Sequence, residues 1–184
     1  YINATICTNE SNQCTSNSAT FSIKMPCQAT KKLKEKNTPV DTNDIKYSDF
    51  LTLPYQLEGH FDLEEAVEDA TKQNKPIFVA VTGHACNNSR EMETRVWGSD
   101  KVLPMLQNDF IICALYVDDN TLVDGERLGA KNCKLVQERW GVNAQPAYII
   151  LSPDGKTVLA GSYGYDADIE KFVQFLNTGK NCVK

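Results

Sequence analysis

The pattern of apolar and polar positions changes character near residue 46. Residues 1–45 are rich in Asn, Thr, Ser and Lys and show little periodicity, and the stretches 9–19 and 31–43 read as loop or disorder. We read this segment as an irregular polar extension or tether. Beyond it, Leu63, Ala66, Val67 and Ala70 recur at helical spacing, with Asp62, Glu64 and Glu65 around the first turn and Lys75-Pro76 as the stop. Residues 77–81 are uniformly apolar and predict a buried strand. A helix follows over about 88–97, then a shorter one over 101–107. Residues 110–117 form a second apolar strand that closes at Asp118-Asp119-Asn120. After a Gly-containing loop, 133–140 reads as a helix and 147–151 as a third strand. Ser152-Pro153-Asp154-Gly155-Lys156 is a turn leading into an antiparallel partner over 157–160. Asp166 is the candidate cap of a last helix that carries Ile169, Phe172, Val173 and Leu176 and ends near Gly179. Trp97, Trp140 and Phe172 fit helix faces packed on the sheet. The order β-α-β-α-β-β-α predicts an α/β domain over residues 46–184, with helices on a mixed central sheet.

Composition narrows the function classes. The 184 residues are 41% hydrophobic and 23% charged with a net charge of -5, which suits a globular chain and gives no basic footprint for nucleic acid. No stretch approaches the roughly 20 apolar residues of a membrane span. The opening Tyr1-Ile2-Asn3-Ala4-Thr5 lacks the basic-then-apolar plan of a signal peptide. Two readings stay open: a cytosolic chain, or one from which a targeting or membrane segment has been removed. Asn3, Asn9 and Asn87 open glycosylation sequons, a weak signal in Asn-rich sequence.

The seven cysteines make the redox compartment a question. Cys7, Cys14 and Cys27 fall in polar sequence where burial does not explain them, and pairing there fits an oxidising compartment. An odd total leaves at least one thiol free or paired with another molecule. Only His60 and His84 are histidines and no pair has zinc-finger spacing, so neither metal nor cofactor is expected. Cys113, inside an apolar strand, reads as core packing. Cys133 and Cys182 obey no spacing rule. The acidic pair Asp118-Asp119 reads as a solvated turn.

The most informative chemistry is Cys86-Asn87-Asn88-Ser89. Cys86 falls between a strand and a helix, where the helix end's free N–H groups and partial positive charge favour a thiolate. It is therefore the candidate nucleophile. Ser89 stands where a dithiol motif carries its second thiol. A hydroxyl cannot resolve a mixed disulfide, although it can donate a hydrogen bond to a thiolate. His84, two residues earlier, is either a proton shuttle or thiolate stabiliser, or a surface residue that fills space.

The motifs Lys75-Pro76-Ile77-Phe78-Val79, Thr82-Gly83-His84-Ala85-Cys86, Arg90-Glu91-Met92-Glu93, Val96-Trp97, Tyr116-Val117-Asp118-Asp119 and Gly141-Val142-Asn143-Ala144-Gln145-Pro146 occur in order. Together with the tail from Ser162 to Gly179 they resemble the C-terminal thioredoxin-like domain of DsbD-type thiol:disulfide interchange proteins, in the form typical of Bacteroidetes. The resemblance covers about residues 46–181. It implies a thioredoxin-like fold, a periplasmic location beside a membrane electron-transfer module, and protein or small-molecule thiols and disulfides as partners. It also implies a cis peptide at Gln145-Pro146, beside the active cysteine, where the missing proline N–H leaves neighbouring backbone free for an extended substrate.

The chain departs from the family pattern at Ser89, at Ala80 where the family has a buried aspartate, and at His84 where it has an aromatic residue. The resemblance makes that aspartate the proton acceptor for the second thiol, so loss of both suggests that resolution as a whole has gone. Three readings follow: a monothiol exchange protein, a redox-inactive module that binds extended peptides, and an engineered trapping variant. The joint loss at Ala80 and Ser89 favours natural divergence over engineering.

Overall fold

The computed structural model describes residues 45–183. The expected tether, its sequons and Cys7, Cys14 and Cys27 thus lie outside the described residues, Ile45 apart. The elements are β1 (Gly59–His60), α1 (Leu63–Gln73), β2 (Ile77–Thr82), α2 (Asn87–Met92) continued by a π-helical turn (Glu93–Trp97), α3 (Leu103–Asp109), β3 (Ile111–Tyr116), β4 (Leu122–Val123), β5 (Glu126–Arg127), α4 (Leu128–Trp140), β6 (Ala147–Leu151), β7 (Val158–Tyr163) and α5 (Ile169–Lys180).

Five strands form one sheet in the order β1-β3-β2-β6-β7. β1 and β2 each run parallel to β3, whereas β6 is antiparallel to β2 and to β7. β2, β3 and β6 are buried along their whole lengths, which is why they appear in sequence as unbroken apolar runs. Alternation assigns their side chains to two faces. Ile77, Val79, Val81, Cys113, Leu115 and Ile149 pack with Ala66 and Ala70 of α1 and Val136 of α4. Phe78, Ala80, Ile112, Tyr148 and Ile150 pack with Met92, Trp97, Leu106, Phe172 and Leu176. Phe172 is the hub of the second layer, edge-to-face with Phe78, Tyr148 and Tyr163.

Several boundaries differ from the sequence expectation for local reasons. The 88–97 helix is two segments, because the Gly98 N–H reaches back five residues to the Glu93 carbonyl. α1 stops at Asn74, which takes the left-handed conformation, before Pro76 is reached. α4 begins five residues earlier than residue 133. The loop before it holds the β4–β5 hairpin, turned by Asp124 and Gly125 at positive φ. The cap of α5 is Asp168 rather than Asp166. The Asp168 carboxylate accepts from the Glu170 and Lys171 N–H groups, whereas Asp166 holds the Asp168 N–H and the Lys171 ammonium.

Because Phe172 is fully buried between three rings, Phe172→Ala is expected to lower stability by about 3–5 kcal/mol. Urea unfolding measures this, and a loss below about 1 kcal/mol would mean that the aromatic layer is not the core.

Candidate functional site

Three loops meet at the carboxyl ends of β2 and β3. Parallel pairing ends with Thr82 beside Tyr116, and the Val117 N–H still donates to the Thr82 carbonyl at 2.9 Å. The chain leaving β2 (residues 83–86) therefore runs beside the chain leaving β3 (residues 117–119). The third loop, 143–146, enters β6, which is antiparallel to β2 and so begins at this same end.

Cys86 is the N-cap residue of α2, extended in backbone and half-buried. Its thiol donates to the Gln145 carbonyl at 3.6 Å, and the Gln145-Pro146 peptide is cis. The structure thus brings together Cys86, Gln145 and Pro146. Ser89 lies one turn into α2, 1% exposed, and its hydroxyl makes no hydrogen bond among the described residues.

His84 is half-exposed and held by neighbours on the β3 side of the site. Its ring stacks on Tyr116 with centroids 4.5 Å apart, and Nε2–H donates to Asp119 Oδ2 at 2.8 Å. No hydrogen bond joins it to Cys86. Nor is Asp118-Asp119 a solvated turn. Asp118 accepts the His84 N–H (2.8 Å) and the Ala85 N–H (3.0 Å). Asp119 is 7% exposed. Burial would raise its carboxyl, but the Thr121 N–H and the His84 ring outweigh that and hold it below its ordinary value. Gly83 leaves room for two side chains of the site. A Cβ there would run into Gln145 Oε1 and come within 2.8 Å of Asp118 Oδ2.

Ala80 is fully buried on the α2 side of the sheet, level with Tyr148 of β6 and Ala114 of β3. The position is apolar, yet the site does contain a buried acid. Glu93, one turn beyond Ser89, is 7% exposed and accepts from Arg90 Nη2 at 2.8 Å, and the same nitrogen reaches Thr82 Oγ1 at 3.1 Å. Burial raises the Glu93 carboxyl, against the opposing pull of Arg90. Burial, then Glu93, then Cys86 also push the Tyr148 phenol well above its ordinary range and keep it neutral. Sequence reasoning missed Glu93 because it looks like a helix surface residue. Its one signal was the four-residue spacing from Ser89, which places both on one helix face.

The remaining described thiols lie elsewhere. Cys113 faces the α1–α4 layer and burial drives its thiol far up. Cys133 is exposed on α4, and Cys182 follows α5. Among the described residues no group of His, Cys, Asp and Glu could hold a metal ion, and no helix is long and apolar enough to cross a membrane.

The fold and the strand-to-helix cysteine define a thioredoxin-like domain. The chain belongs to that family, whose sequence model matches residues 63–180. Among solved structures it is similar to a DsbH oxidoreductase, at 18% identity and TM-score 0.52 over 69% of this chain and 91% of that one. It is also similar to a thioredoxin from Thermus thermophilus, at 19% identity and TM-score 0.51 over 67% and 91%. The reduced C-terminal domain of DsbD from Neisseria meningitidis matches at 16% identity and TM-score 0.47 over 64% and 93%. At these identities the likeness is one of fold. No curated protein matches the sequence.

Two outcomes follow from the burial pattern. Under native conditions a maleimide should label Cys86, Cys133 and Cys182 while sparing Cys113 until the chain unfolds; peptide mass mapping reads this, and early labelling of Cys113 would contradict the buried placement. Glu93 has a native pKa above its unfolded value, so the native state holds its proton longer. Its favourable contribution is complete below about pH 4, near the unfolded value, and is lost as pH rises through the native value. Glu93→Gln should therefore raise Tm at pH 7, by roughly 2–4 °C per kcal/mol relieved, with Arg90 partly solvated and able to do without its partner. The gain should vanish near pH 4, and a gain independent of pH would rule out the charge as its source.

Proposed function

We propose that this domain is a monothiol thiol:disulfide exchange protein, related in role to the C-terminal domain of DsbD-type interchange proteins and working in the periplasm. The observation that carries the reading is Cys86 at the N-cap of α2, its thiol turned to the carbonyl of the cis Gln145-Pro146 peptide, with serine buried at the second position. The Cys86 thiolate attacks one sulfur of a partner disulfide, forming a Cys86–partner disulfide and releasing the other sulfur as thiolate. Ser89 cannot carry out the second attack, so an external thiol must displace Cys86 and take its place in the new disulfide. The backbone around Gln145 and Pro146 holds the partner as an extended strand. Protein or small-molecule thiols and disulfides are the partners, and a membrane electron-transfer module is a candidate source of reducing equivalents.

The buried, unpartnered Ser89 hydroxyl supports a surviving role in thiolate stabilisation, and Glu93 supports a site that keeps an acid despite Ala80. Insulin reduction with dithiothreitol should run near background for the natural sequence and rise in Ser89→Cys. Turnover by the natural sequence comparable to a dithiol thioredoxin would sink the monothiol reading. If intact-mass measurement after acid quenching finds no adduct on Cys86, a peptide-binding module without redox chemistry replaces it.

A further inference from the structure

We infer that Asp118 and Asp119 form a two-carboxylate clamp on the loop that carries Cys86, and that His84 is a positioning residue within this clamp rather than an acid–base group. This inference rests on the exchange reading above and adds to it what holds the nucleophile in place. The clamp takes three donors from two consecutive residues: the main-chain N–H groups of His84 and Ala85 on Asp118, and the His84 ring Nε2–H on Asp119. These are charge-assisted bonds, about twice as strong as neutral ones. Ala85 is directly bonded to Cys86, so a shift in the clamp passes to the thiol through one residue.

The clamp is itself anchored from below. Asp119 Oδ1 accepts the Thr121 N–H at 2.8 Å and the Asp119 carbonyl accepts the Gly129 N–H at 2.9 Å. Gly129, at the start of α4, has no side chain because a Cβ would lie 2.7 Å from the Asp119 nitrogen and 2.8 Å from the Val117 carbonyl. One turn on, the buried Asn132 amide donates to the Tyr116 carbonyl at 2.9 Å. The segment 116–121 is thus bonded to α4 below and to residues 84–85 above. A solvated turn needs none of these contacts. The His84 ring is fixed by its Nε2–H on Asp119 and by one face on Tyr116, and no hydrogen bond among the described residues joins it to Cys86.

The test uses the full chain and dithiodipyridine, with the adduct on Cys86 followed against time by peptide mass analysis. Asp119→Ala, His84→Ala and the double variant should each slow adduct formation about 10- to 100-fold, the range expected of small misplacements of a reacting group. The double variant should be no slower than either single, because both remove one coupled unit. His84→Gln, which keeps a side-chain N–H donor for Asp119, should recover most of the natural rate. Asp118→Asn, which retains one acceptor for two N–H groups, should fall between the natural protein and Asp118→Ala. The two conservative variants also cover the case in which an alanine variant fails to fold. His84→Gln as slow as His84→Ala would overturn the positioning role in favour of acid–base chemistry. Rates unchanged in every variant, with natural Cys86 reactive, would overturn the clamp while leaving the exchange reading intact. A natural Cys86 inert to the probe would remove the exchange reading and this inference together.

Discussion

The parallel pairing of β2 with β3 is the constraint on which the site depends. Six residues of β2 lie level with six of β3, from Ile77 beside Ile111 to Thr82 beside Tyr116, and both strands are wholly buried. Because the strands end in register, the loops that leave them emerge side by side. The antiparallel β6 then delivers Pro146 to the same edge. Slipping β2 by one residue would turn its side chains to the wrong faces and carry Cys86 away from its neighbours. The aromatic and aliphatic layers that fix this register are therefore part of the chemistry.

The fold was largely legible because its three central strands are apolar without interruption and its outer helices carry period-3.6 patterns. What escaped was short or polar. β1 is two residues, and a Cβ at Gly59 would come within 2.8 Å of the Ile112 carbonyl oxygen. The β4–β5 hairpin has only two residues in each strand and is mostly exposed, too short to show an alternating pattern. The true cap of α5 was two residues from the expected one, since both aspartates satisfy local N–H groups and only geometry decides which begins the helix.

The site was legible along the chain and illegible across it. Cys86 and Ser89 are read from their spacing at a strand-to-helix junction, Gln145 and Pro146 from the family resemblance, and the structure brings the Cys86 thiol to the Gln145 carbonyl. Asp118 and Asp119 meet residues 84–85 across more than thirty positions, and Glu93 sits on an apparently exposed helix face with only its four-residue spacing from Ser89 as a signal, so their contacts are not legible along the chain. Ala80 leaves the strand without an acid, as the sequence indicates. The carboxylate at Glu93 comes instead from the helix above it, where burial against the sheet raises it.

If Cys86 forms the proposed adduct, the placement of the other described thiols bears on the molecularity of its release. Cys113 and Cys133 belong to the α1–α4 side of the sheet, away from α2. Cys182 follows α5, whose Gly179 packs on Ile150 and whose Lys180 pairs with Asp109, both toward the end of the sheet opposite Cys86. None of these sulfurs is placed to attack an adduct on Cys86. Within the described domain, discharge of such an adduct is then second order, and its lifetime scales inversely with the concentration of thiol outside. A dithiol enzyme sets that lifetime through its own geometry; under the proposed monothiol chemistry the surroundings would set it, so occupancy of Cys86 would report the reducing strength of the compartment.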